Sequence, residues 1–160
     1  MPQVKEKPTS SVGEEHRDPA IELATELYKN LSMSGEAMTS LLSKVKDIEI
    51  KTHMTAALCF YEKSSAKVKE FLNSRGAEAK EDSWMARMGA RMGINMNTMM
   101  DATSSHIAQM VIEGSTMAIT ESTRLSHRFG KREDCRELVD LMGEWIIFEQ
   151  KHIEEMKRFL

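Results

Sequence analysis

The sequence predicts an all-α protein built as a four-helix bundle, and three observations carry that expectation. All three prolines fall within the first nineteen residues, so nothing after Pro19 strongly breaks a helix. Aromatic residues make up only 6% of the chain and alternating apolar runs are sparse, leaving little material for strands. After Pro19, apolar residues recur at spacings of three and four through four long stretches, the period of an amphipathic helix.

Each stretch has its own start and stop signals. Asp18-Pro19 reads as an N-cap followed by proline at the first helical position, opening a helix over about 19–45. Its apolar stripe is Ala24, Leu27, Leu31, Met38, Leu41, Leu42 and Val45. Asp47 caps a second helix to about Arg75, ended by Gly76, with stripe Ile50, Met54, Ala57, Tyr61, Val68 and Leu72. The short link at Lys46 makes these two an antiparallel hairpin.

From 76 to 100 the texture changes. Polar residues run to Ser83, then Trp84 opens a stretch with Met85, Met88, Met92, Met96, Met99 and Met100, interrupted by Gly89 and Gly93. This reads as a connector carrying its own short helix. Asp101 is the expected cap of a third long helix to about Phe129, with stripe Ser104, Ile107, Val111, Gly114, Ala118, Ser122, Leu125 and Phe129, and Gly130 as its stop. A fourth runs over about 133–160 on Cys135, Leu138, Met142, Trp145, Glu149, Ile153, Met156 and Leu160. Four helices of near-equal length with a long connector between two hairpins favour a bundle with a Met-rich crossover, as in ferritin-like folds. A plain up-down-up-down bundle is the alternative.

Composition narrows the function classes. A chain of 160 residues, 41% hydrophobic and 29% charged, can bury one core, so residues 19–160 read as a single domain. A net charge of −3 with acids and bases interspersed gives no basic face for nucleic acid and no polybasic membrane anchor. Residues 1–18 lack the apolar core of a signal peptide and read as a disordered tail, and no apolar run is long enough to span a bilayer. Cys59 and Cys135 lie far apart and suit reduced, buried thiols. The expected setting is cytoplasmic.

Three stretches carry a likeness to a known group. Lys44-Val45-Lys46-Asp47-Ile48-Glu49-Ile50 between two amphipathic helices, the Met-rich connector, and Ser105-His106-Ile107-Ala108-Gln109-Met110 with Gly114-Ser115-Thr116-Met117 together resemble small uncharacterised bacterial ferritin-like four-helix-bundle proteins. The resemblance covers 20–160 and speaks to fold; it implies little about activity. A full di-iron site of that fold takes one Glu from each of two helices and a Glu-x-x-His from each of the other two. The positions the resemblance assigns, in chain order, are Glu36, Glu62 with Ser65, Glu113, and Glu149 with His152.

Helical phase tests those positions, since each residue turns the side-chain direction by about 100°. Glu149 lies near the centre of its stripe with His152 on its flank. Glu62 lies roughly 105° from the centre of its stripe, and Glu36 and Glu113 roughly 145 to 160° from theirs. Glu149, His152 and Glu62 are therefore the candidate metal ligands. One inward carboxylate is too few for iron, whose own desolvation must be offset by several anionic oxygens. The competing reading makes Glu149 a buried acid held by hydrogen bonds to inward polar residues such as Tyr61, Ser65, Ser34 or His152. His53 and His127 are expected to be exposed and unpartnered.

Methionine is the other unusual feature, with 14 in the chain. Thioethers bind Cu(I), but a methionine stripe at helical spacing more commonly packs as an adaptable apolar surface. The third helix has a second stripe of Met99, His106, Met110 and Met117, an expected interaction surface covered by the connector or by another subunit. Gly114, Ser115 and Ala118 would let a neighbouring helix come close. No nucleophile has a base beside it, and no glycine-rich phosphate loop is present. The leading expectation is a non-catalytic structural or interaction protein, a homo-oligomer without nucleic-acid or membrane partners and without a cofactor. The alternative is an iron-binding or iron-oxidising metalloprotein; a weaker third is a Cu(I) or small apolar-ligand binder.

Overall fold

The computed structural model describes residues 18–80 and 101–160, which form four long helices packed as an all-α bundle. They are α1 (Pro19–Leu42), α2 (Ile48–Ser74), α3 (Ser104–Phe129) and α4 (Arg136–Met156). Residues 1–17 of the expected tail, the short connector helix and Met99 lie outside the described residues.

The local signals explain most of the boundaries. Asp18 Oδ1 accepts from Ala20 N at 2.9 Å ahead of Pro19, and Asp47 Oδ1 accepts from Glu49 N and Ile50 N at 2.8 and 3.2 Å. Both side chains satisfy amides that the first helical turn leaves without partners. Gly76 follows α2 at φ 69°, the left-handed conformation that terminates helices and that a Cβ disfavours.

Three boundaries differ from the expectation. α1 ends at Leu42, so the link to α2 covers 43–47, although Val45 is still buried. The cap of α3 is Thr103, whose Oγ1 accepts from His106 N at 3.3 Å, and not Asp101; Asp101 Oδ1 instead accepts from Thr103 N at 3.0 Å. The last helix is not continuous over 133–160. It opens with a 3-10 turn at Glu133–Cys135 and closes with another at Lys157–Phe159, leaving Leu160 64% exposed.

Ion pairs fix how the helices run. Arg75 Nη1 stands 3.7 Å from Asp18 Oδ2, joining the end of α2 to the start of α1. Arg128 pairs with Glu22, bringing the end of α3 to that same place, while Arg158 pairs with Glu49 and brings the chain after α4 to the start of α2. Consequently α2 ends and α3 begins at opposite ends of the bundle. The main packing contacts join α1 to α2, α3 to α4, α1 to α3 and α2 to α4.

The stripes converge on one core. Leu23, Leu27, Leu31, Ile50, Met54, Leu72, Ile107, Met142, Trp145 and Met156 are fully enclosed. Truncating one such leucine to alanine costs about 2–5 kcal/mol through lost transfer energy and the cavity left behind. Among the described residues no helix is long and apolar enough to cross a membrane.

Candidate functional site

The inward face of α4 carries Leu138, Met142, Trp145, Glu149, His152 and Met156, all buried. Helical spacing sets this row: Trp145 and Met142 lie one and two turns before Glu149 on the same face, so Glu149 points into the core with them. It is 1% exposed.

Its carboxyl group is half engaged. Oε1 accepts from the Tyr61 hydroxyl of α2 at 2.6 Å and from Trp145 Nε1, one turn back on α4, at 2.8 Å. Oε2 has no hydrogen-bond partner. Burial raises the Glu149 pKa above its ordinary range, against the opposing influence of Ser115, Tyr61 and Trp145, whose polar groups favour the charged form. Tyr61 is pushed well above the usual phenol range by burial first and by the Glu149 carboxylate second. The centre of the bundle is therefore a polar cluster drawn from α2, α3 and α4.

His152, one turn further along, is also enclosed and belongs to a second group. Its Nδ1 is 3.9 Å from Glu155 Oε2, too long for a hydrogen bond, and its Nε2 has no partner. The ring stacks on Phe148 at a centroid distance of 5.8 Å, and Phe148 stacks on Phe60 of α2 at 4.1 Å. Burial lowers the His152 pKa to about 4, against an upward pull from Glu155 and with a further downward push from His53. His53 is not the exposed, unpartnered residue expected. It is half-buried, its Nδ1 lies 3.3 Å from Glu155 Oε2, and its ring meets Phe159 edge-on at 6.0 Å. His127 is exposed as expected.

The candidate ligands do not assemble. Glu62 is exposed and lines a shallow groove between α1 and α2 with Glu36, Ser65 and Tyr28. Glu113 is exposed on α3, where Gln109 Nε2 donates to it at 3.1 Å. Among the described residues no three His, Cys, Asp or Glu side chains are grouped to hold a metal ion. Glu149 and His152 supply two atoms without partners, Oε2 and Nε2, on successive turns, and among the described residues no third ligand joins them. The hydrogen bonds to Glu149 come from Tyr61, among the donors expected, and from Trp145, which was missed. Ser34 and Ser65 form no hydrogen bond to it. The spacing of Trp145 and Glu149, four residues on one helix face, was the available signal.

Three residues of the expected interaction surface are described. Met110 is buried in the core, while His106 and Met117 are half-buried along α3. Cys135 is buried as expected, but Cys59 is exposed; both are free thiols. Compared with family models, curated proteins and solved structures, the chain matches none.

Proposed function

We propose that this chain is a ferritin-like bundle whose di-metal site is incomplete and which serves as a non-catalytic structural or interaction protein. The observation that carries the reading is the division among its acids. Glu149 sits in the core with one oxygen bound by Tyr61 and Trp145, while Glu36, Glu62 and Glu113 face solvent. A di-iron centre draws on carboxylates from all four helices, and here three of the four positions point away.

The placement of the end of α2 opposite the start of α3 supports a bundle with a crossover over an up-down-up-down order. Self-association through the α3 face carrying His106 and Met117 belongs to the same proposal, with a second copy as partner.

One observation favours the runner-up, an iron-binding ferritin-like protein: the unpartnered Glu149 Oε2 and His152 Nε2 are the two atoms a Glu-x-x-His pair presents to an ion. Metal analysis of protein purified without chelators separates the two. The proposal expects substoichiometric iron; one or two irons per chain, lost in Glu149→Gln, would establish the runner-up.

A further inference from the structure

We draw no further inference here: the strongest candidate, the groove of about 580 Å³ between the C-terminal half of α2 and the N-terminal half of α4, is rimmed by Glu70, Glu137, Asp140 and Glu144, an acidic cluster in which no buried, unpartnered side chain points to a ligand.

Discussion

At Glu149 one oxygen accepts from two donors and the other has no partner, so a neutral acid or an amide still offers the accepting oxygen that Tyr61 and Trp145 use. Glu149→Gln keeps an acceptor for Tyr61 and Trp145 and removes the cost of burying charge, so its denaturant midpoint should equal or exceed that of the wild type. Glu149→Leu leaves both donors without a partner and should cost roughly 1 to 3 kcal/mol. Loss of stability in both variants alike would contradict this account. His152 gives the complementary test. Its pKa falls from 6.5 in the unfolded chain to about 4 in the fold, so the unfolded state binds more protons between those values. Its contribution is present above pH 6.5 and is lost as pH falls towards 4, a change on the order of 3 kcal/mol. Glu149 acts in the opposite sense: its raised pKa favours the fold at low pH, and that contribution is lost as pH rises through the folded value. Unfolding midpoints compared at pH 7 and pH 4.5 should show a much smaller acid loss in His152→Phe, which keeps the stack on Phe148. An unchanged acid loss would remove His152 from the explanation.

Helix ends show how far local sequence reaches. Asp18, Asp47 and Gly76 act where their residue types suggest, because a short polar acceptor or a left-handed glycine meets a backbone need wherever the adjoining stripe begins or stops. Asp47→Ala should cost about 1 kcal/mol. Asp101-Ala102-Thr103 offers two cap residues, and sequence pattern does not fix which of them precedes the first helical turn. The geometry selects Thr103, which reaches the amide three residues on, so Thr103→Ala should weaken α3 more than Asp101→Ala. Gly130 has a separate constraint. A Cβ there would lie 2.4 Å from the Ser126 carbonyl oxygen, so Gly130→Ala should shift the end of α3 and lower the melting temperature. An unshifted melting temperature would show that the turn relaxes freely.

Across the whole molecule, helical phase was legible where one stripe dominated a helix. It placed Glu149 inward and Glu36 and Glu113 outward, and it left Glu62 at an angle that proved to be solvent-facing. It set Met110 on a second stripe of α3 with His106 and Met117, and of these Met110 is buried while the other two are half-buried. Nor could it see the His53–Glu155 pair, which forms only when α2 and α4 pack antiparallel. The proposed α3 contact predicts a dimer or larger species at micromolar concentration in sedimentation, weakened by Met117→Lys. A monomer at every concentration would oppose it. Thermal unfolding with and without ferrous iron under anaerobic conditions decides whether the buried acid supports the bundle or binds a metal, because a ligand bound to the folded state raises its melting temperature by mass action. A supporting acid gives no rise in the wild type; a clear rise that disappears in both Glu149→Gln and His152→Ala would make Glu149 and His152 metal ligands.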